Sequence, residues 1–476
     1  MAAITGEEYK RRINALHTDI WVSGEKVDGR ISEHPAFKGV MNSQAELYDL
    51  QHSNDFMTFE CELTKTKIGT SFLIPKCKEE LILRRKMIQS WARHTGGLMG
   101  RSPDYMNTVL AAFAASTEIL KGKPNCFPDR LEKFYYDARE KDLSFTHTFV
   151  NPQNNRAKYS FFKEDVTNAR IVKRIEEGIV IKGAKLLATQ GGITDEIIVF
   201  SAPGVTDNEF AYAFSIPSDT PGLKFICREP FSKESSHYNA PLSSRFEELD
   251  AVVVFNDVLV PWERVFFYDN IRVANEFYAK SKFIPFTLHQ IVSRQVVKAE
   301  LVLGIAQLIV DTINIGEYQH VQGKVTEIIK GLESLKALLI ISEQEAVIDD
   351  KGICIPSRAP LYIAVHTFQE IYPRFMEILQ LLGASGIVTI PTEKDFNSSI
   401  KEDLNHYLQA GDKKGEEKVR LFRLAWDLCL SSFGGRQTLY ERFFFGDPIR
   451  VSQSIYNAYD KSTSIQQAEQ FIKAES

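Results

Sequence analysis

DLSFTHTFV, residues 142–150, is where the chain changes its periodicity. Apolar and polar side chains alternate, which puts Leu143, Phe145, His147 and Phe149 on one face of a strand and Ser144, Thr146, Thr148 and Val150 on the other. Runs of the same kind follow to about residue 268: GIVIKGAKLLAT (178–189), EIIVFSA (196–202), FAYAFSIP (210–217), LKFICR (223–228) and DAVVVFNDVLVPW (250–262). Gly, Pro, Asn and Asp separate them, and the linkers are too short for helical crossovers, so an antiparallel β region is expected. Upstream the pattern is mainly helical, with TVLAAFAASTEIL (108–120) as a clear helix interior. Downstream, HQIVSRQVVKAELVLGIAQLIVDTIN (289–314), VTEIIKGLESLKALLIISEQEAVI (325–348) and VRLFRLAWDLCLSSF (419–433) have the lengths of antiparallel bundle helices. This order predicts an α+β multidomain chain: an N-terminal helical domain (1–141), a central antiparallel β-domain (142–268), and a C-terminal helical bundle with tail (269–476).

The 476 residues carry 57 basic and 62 acidic side chains, a net charge of -5, and no basic block of the kind that follows a nucleic-acid backbone. A small molecule or a protein is the expected partner. The N-terminal MAAITGEEYKRRINALHTDIW has no signal-peptide core, and no apolar run approaches membrane-spanning length, so the chain reads as soluble and cytoplasmic. Six cysteines occur without a CxxC pair and ten histidines without HExxH; no metal site is expected. The charged KKGEEK (413–418) reads as a solvated loop or a helix start.

Several stretches have two readings. His147 is either a core histidine satisfied by one hydrogen bond or a ligand contact at a strand end. The loop NPQNNR (151–156) is an ordinary turn or a polar grip on a cofactor. Gly191 and Gly192 make a turn or let backbone approach a flat ligand. LLGASG (381–386) closes a helix or touches a ligand, and no GxGxxG follows a strand to suggest a nicotinamide site. In RSPDYMN (101–107), Ser102 and Pro103 start a helix, and Arg101 sits where the helix dipole disfavours a cation. Arg101 and Tyr105, four apart, point into shared space; an anion facing the arginine would explain its position.

RSPDYMN, THTFVNPQNNR, GIVIKGAKLLAT with TDEIIVF, TPGLKFICR, PLSSRFEELDAVVVFNDVLVPWERVF, HQIVSRQVVKAE, QLLGASGI, and LFRLAWD with FGGRQTLYERFFFGDP form an ordered series from about residue 100 to 450. Together they resemble the oxygenase component of the two-component 4-hydroxyphenylacetate 3-monooxygenase family. The resemblance implies an acyl-CoA dehydrogenase-like fold with a C-terminal four-helix bundle that builds a homotetramer. It implies FAD, bound as FADH2 and supplied by a separate NAD(P)H-dependent flavin reductase, with O2 as co-substrate. Through a flavin C4a-hydroperoxide, a phenol such as 4-hydroxyphenylacetate would become a catechol.

Arg101, Tyr105 and His147 match the family residues at the phenolic oxygen, and Ser201 and Ala202 fall in the implied substrate pocket. For FAD the matching positions are His147, Thr148 and Phe149, then Gln153, Asn154, Asn155 and Arg156, and Thr189 near the flavin ring. Gly383, Ala384, Ser385 and Gly386, with Gly446, Asp447 and Pro448, are implied contacts to the dinucleotide end, across a subunit boundary. Residues 203–216 are expected to form a lid.

The related 4-hydroxybutyryl-CoA dehydratases would need cysteines at the spacing of Arg101 and Tyr105, and a third thiolate where Val296 follows His289; residue type therefore disfavours an iron-sulfur cluster. Halophenol or biosynthetic-aromatic hydroxylation on the same fold is the nearest alternative. From other classes, a non-catalytic flavin-binding protein and an acyl-CoA dehydrogenase remain to be set against it.

Overall fold

The computed structural model describes residues 3–61, 64–152, 167–232 and 236–473. The chain opens with helices α1 (Gly6–Ala15), α2 (Pro35–Leu50), α3 (Lys78–Thr95), α4 (Pro103–Ala114) and α5 (Pro128–Lys141). Three of these begin on a proline, whose fixed φ suits the first helical position and whose missing N–H costs nothing there. Helix α3 stops at Gly96 in the left-handed region (φ 61°), and the Gly97 amide closes the turn on the Ala92 carbonyl. That reversal lets the short stretch 96–102 lead into α4, which is buried on every side from Pro103 to Phe113.

The same region also contains strands β1 (Asp19–Val22), β2 (Glu25–Lys26), β3 (Thr58–Glu60) and β4 (Lys67–Gly69). They are too short to show a period in the sequence, and β1 gains its place from a partner some 200 residues away.

The central strands are β5 (Phe145–Thr148), β6 (Arg170–Arg174), β7 (Gly178–Thr189), β8 (Glu196–Phe200), β9 (Tyr212–Pro217), β10 (Leu223–Cys227), β11 (Asp250–Pro261) and β12 (Val265–Tyr268). They form a six-stranded sheet, β2-β1-β10-β11-β7-β6, and a four-stranded sheet, β12-β9-β8-β5. Pairing within them is antiparallel except for β1 with β10 and β5 with β8. The latter departs from the expected pattern because the chain leaves β5, builds β6 and β7 in the other sheet, and returns. Strands of the other sheet thus lie on the crossover, where a helix is the usual connection.

Gly191 and Gly192 make a turn under Ile20 and Phe225; a Cβ on Gly191 would lie 2.7 Å from the Phe225 ring, so protein fills the space a flat ligand would need. The expected lid is only half a loop. Residues 212–216 are buried strand β9, and the loop before it is pinned by Asn275, which accepts from the Gly204 and Val205 amides at 2.7 and 2.8 Å.

After the short helix α6 (Ser243–Phe246) and strands β11 and β12, the chain is mainly helical: α7 (Ile271–Lys280), α8 (Phe283–Thr312), α9 (Gln319–Gln344) and, after a two-stranded hairpin of β13 (Val347–Ile348) and β14 (Cys354–Ile355), α10 (Arg358–Gly383). Two short helices, α11 (Glu393–Phe396) and α12 (Lys401–Tyr407), lead to α13 (Gly415–Cys429), α14 (Ser432–Phe443), α15 (Pro448–Ala458) and α16 (Ser462–Lys473). Helices α8, α9, α10 and α13 pack as the bundle, with α14 against α10 and α13. Lys414, in KKGEEK, is the N-cap residue of α13. One continuous cluster of buried apolar side chains joins the helical and sheet regions. Among the described residues no helix is long and apolar enough to cross a membrane.

Candidate active site

Arg101 precedes α4 by two residues and is buried (8% exposed). The anion that its position calls for is supplied by the chain itself. Glu248, fully buried, accepts from the backbone amides of Gly100 (2.7 Å) and Arg101 (2.8 Å) and from the Gln190 side chain (3.0 Å). The guanidinium points elsewhere. Its Nη1 donates to the Tyr440 hydroxyl (2.8 Å) and the Gly100 carbonyl (3.0 Å). Its carbon lies 4.3 Å from the centre of the Tyr105 ring, 5.1 Å from Phe444 and 5.8 Å from Tyr440, a box of π faces that favours a cation. Burial opposes the charge, but Tyr440, Tyr105 and Glu248 outweigh it and hold the proton more tightly than usual.

Helix α14 builds one wall of this box. Arg436, Tyr440 and Phe444 recur every fourth residue, so they lie in one row. Arg436 binds Asp250 (2.8 Å) and approaches Glu248 (3.7 Å), while the Tyr440 and Phe444 rings stack at 4.6 Å and 11°. Ser102 occupies the N-cap position of α4 without a capping side-chain bond, and Asp104 accepts from Gln290 at 2.8 Å.

His147 enters from β5, its ring centre 5.8 Å from that of Tyr105. It stacks with Phe149, two residues on, and with Phe200 on the neighbouring strand β8, at 5.7 and 5.9 Å and within 14° of parallel. Its Nδ1 is buried without a hydrogen-bond partner among the described residues. Burial, and then the nearby Arg101 charge, push the imidazole well below its ordinary pKa, so it is neutral at physiological pH. The ring thus packs among aromatics as a core histidine would, but its Nδ1 lacks the hydrogen bond that the core reading expects. Behind Phe200 lies an apolar cavity of about 20 Å³, lined among others by Phe113, Ile198, Ser201, Phe277 and Tyr278.

The remaining expected site residues divide. The Thr148 hydroxyl donates to the Leu186 carbonyl (2.7 Å) and that of Thr189 to Asp250 (2.7 Å), so both tie the site's walls together. Ser201 donates through its hydroxyl to the Phe210 and Tyr212 carbonyls, and its amide binds Tyr212 as well, which leaves it no donor for a substrate. Ala202 follows on the partly exposed loop. Gln153, Asn154, Asn155 and Arg156 lie outside the described residues.

Gly383, Ala384, Ser385 and Gly386 sit at the far end of α10. Tyr362, whose ring meets Phe445 beside the site, is 21 residues back, roughly 30 Å of helix at about 1.5 Å per residue. Within one chain that loop does not reach Arg101. Gly446, Asp447 and Pro448 form the corner between α14 and α15: Gly446 has φ 121°, Gln369 binds its carbonyl, and Asp447 caps α15 by accepting from the Ile449 amide.

Sequence reasoning missed Glu248, Tyr440, Phe444, Phe200 and Lys185. The last is a buried ammonium on β7 that donates to the Phe149 carbonyl (3.2 Å) and Asn151 (2.9 Å) and is pushed down to about 7 by burial. The four-residue spacing of Arg436, Tyr440 and Phe444 was the one readable signal, and any amphipathic helix shares it.

These residues fit a flavin beside a phenol. β5 is an edge strand, so among the described residues one side of its backbone has no partner strand in its sheet and can meet the polar rim of a flat heterocycle. The His147, Phe149 and Phe200 rings provide a planar wall. His289, by contrast, is paired with Glu343 at 2.9 Å, and no cluster of three or more His, Cys, Asp or Glu side chains suited to a metal occurs among the described residues.

Comparison with known proteins identifies the family. A family model described as 4-hydroxyphenylacetate 3-hydroxylase N terminal matches residues 5–267, and its C-terminal counterpart matches residues 274–473. A probable 4-hydroxyphenylacetate 3-monooxygenase of Bacillus subtilis is 53% identical, over 100% of this chain and 99% of its own. The crystal structure of the oxygenase component of 4-hydroxyphenylacetate 3-monooxygenase with FAD and 4-hydroxyphenylacetate is 41% identical, covers 99% of this chain and 98% of that one, and superposes with a TM-score of 0.94. An archaeal 4-hydroxybutyryl-CoA dehydratase structure from N. maritimus, 20% identical over 100% of this chain and 96% of its own, has a TM-score of 0.89 and shares the fold. With the two family models matching residues 5–267 and 274–473, this chain belongs to the 4-hydroxyphenylacetate 3-hydroxylase family.

Proposed function

We propose that the chain hydroxylates 4-hydroxyphenylacetate, or a similar para-substituted phenol, ortho to its hydroxyl: phenol, O2 and FADH2 give catechol, FAD and water. The observation that carries this reading is that Arg101, Tyr105 and His147 lie together in one buried cluster, with the His147 Nδ1 unpartnered. When bound, reduced FAD supplies the activated oxygen and the two electrons. The protein's own task is to hold the phenol and raise electron density on its ring. Arg101, fixed as a cation, favours the phenolate-like form, because its charge acts in a dry aromatic box and needs no reorganisation. A neutral His147 accepts the phenol's hydrogen bond at its unpartnered Nδ1, and the Tyr105 hydroxyl supplies a second polar contact. Phe149, Phe200 and Phe444 keep water away from the reacting atoms.

A separate NAD(P)H-dependent flavin reductase delivers the FADH2, in the cytoplasm where both nucleotides are found. The chain works as a homotetramer in which the LLGASG loop of one copy serves a neighbour's site, since its own is out of reach. The test is to give the purified protein chemically reduced FAD, oxygen and a panel of phenols, and to assay catechols by chromatography. Arg101→Ala should lose phenol affinity and catechol while still binding FAD. No product from any phenol would leave a flavin-binding protein without hydroxylase activity.

A further inference from the structure

We propose that Tyr440 is a positioning residue that fixes which edge of the Arg101 guanidinium faces the phenol, an inference that rests on the reading of Arg101 above. Nη1 is fully used: its two hydrogens go to the Tyr440 hydroxyl at 2.8 Å and the Gly100 carbonyl at 3.0 Å. Nε and Nη2 make no hydrogen bond among the described residues, and Nε is buried. One side of the fork is therefore anchored, and the other presents two parallel N–H groups, the pattern that grips an oxyanion.

Tyr440 has no hydrogen left to donate to a phenolate oxygen. Its hydroxyl accepts from Arg101 and donates to the Gly100 carbonyl at 3.3 Å. Its ring is held by stacking on Phe444 and lies so close to the backbone that a Cβ on Gly100 would fall 2.3 Å from the hydroxyl. The absence of a side chain at position 100 is what admits the tyrosine. The three groups form one device: a glycine that makes room, a tyrosine that locks Nη1, and an arginine whose Nε/Nη2 edge is left free.

The test uses 4-nitrophenol, whose phenolate is coloured, with the FAD-loaded protein. Absorbance against pH reports the ionisation of the bound phenol, and calorimetry its affinity. Tyr440→Phe keeps both ring contacts and removes only the hydroxyl. It should weaken phenol binding by about 10- to 100-fold, the range for losing one hydrogen bond to a charged group. It should also move the bound phenol's ionisation toward higher pH, at unchanged FAD affinity. In an Arg101→Ala background the same change should have no further effect. Gly100→Ala, which displaces the tyrosine with its hydroxyl intact, should act in the same direction and provides a second route if Tyr440→Phe folds poorly.

If Arg101→Ala impairs phenol binding but Tyr440→Phe and Gly100→Ala do not, the positioning role is refuted and the function stands. If the losses from Arg101→Ala and Tyr440→Phe add, Tyr440 acts independently and the proposal fails. If Arg101→Ala leaves binding and ionisation unchanged, the reading of Arg101 itself is wrong.

Discussion

Glu441→Gln should cost about 3–5 kcal/mol of folding stability without touching the substrate. The carboxylate is fully buried between two cations on α8: Oε1 meets Arg294 Nη1 at 2.7 Å and Lys298 Nζ at 2.8 Å, and Oε2 accepts from Arg294 and Gln295. The same knot binds Leu98 through Gln437 and Gly97 through Arg294, so it fastens α14 and the approach to Arg101 onto α8. Burial raises the carboxyl's affinity for protons, but Arg294 and Lys298 prevail and bring it from 4.5 to about 2. At about 1.4 kcal/mol per tenfold, that difference stabilises the fold by roughly 3 kcal/mol near neutral pH.

Removing the charge strands two buried cations, for which about 3–5 kcal/mol is the usual penalty. Lys298 limits the loss: burial already pushes its ammonium down to about 8, so without Glu441 it can shed its proton. Because the folded carboxyl titrates lower than the unfolded one, its contribution is complete above about pH 4.5 and disappears as pH falls toward about 2. Urea unfolding followed by tryptophan fluorescence measures both effects. A Glu441→Gln protein within about 1 kcal/mol of the parent, or one with the same acid limb, would refute this account of the knot.

Phenol affinity should show no inflection at the ordinary imidazole pKa of about 6.5, because burial and Arg101 keep His147 neutral well below that value. Calorimetric titrations at a series of pH values check this, and weaker binding that sets in near 6.5 would contradict it. The same depression makes the unfolded chain bind the extra proton first, so the fold should lose stability as pH falls below about 6.5, and His147→Asn should lose that component. Ser201→Ala should lower stability by about 1–2 kcal/mol, because its hydroxyl closes the turn between β8 and β9. Its phenol affinity should match the parent's; a large drop in affinity would place Ser201 on the substrate after all.

Much of the fold was readable because its signals are local. Ser102 and Pro103 mark a helix start, and the β7 and β11 sequences alternate or run apolar over twelve residues each. Pairing is another matter. Nothing within DLSFTHTFV specifies a parallel partner in EIIVF, because that register is decided by how the two sheets stack. The site follows the same rule. His147 could be placed on a strand face from its neighbours, but its unpartnered nitrogen is a property of packing. Arg101 and Tyr105 gained their roles from a resemblance spread over hundreds of residues. Glu248 and Tyr440, 147 and 339 positions from Arg101, meet it only in three dimensions, and neither has a distinctive sequence context.

The awkward charge before α4 shows how the contacts divide their work. A cation at a helix start is disfavoured by the exposed amides, and burial in an aromatic box removes its water as well. Glu248 answers the first cost, since it takes up the backbone amides of residues 100 and 101 instead of the guanidinium. Tyr440 and the ring faces answer only part of the second, because two of the three guanidinium nitrogens are left without bonds among the described residues. An anion arriving at that edge therefore meets a donor pair of which Nε was already desolvated on folding. Had Glu248 bound the side chain instead, the arginine would be fully satisfied and the phenol would have to compete with a carboxylate. Placing the fixed anion on the backbone and leaving the side chain incompletely bonded keeps Arg101 charged, rigid and open to a weaker, transient anion.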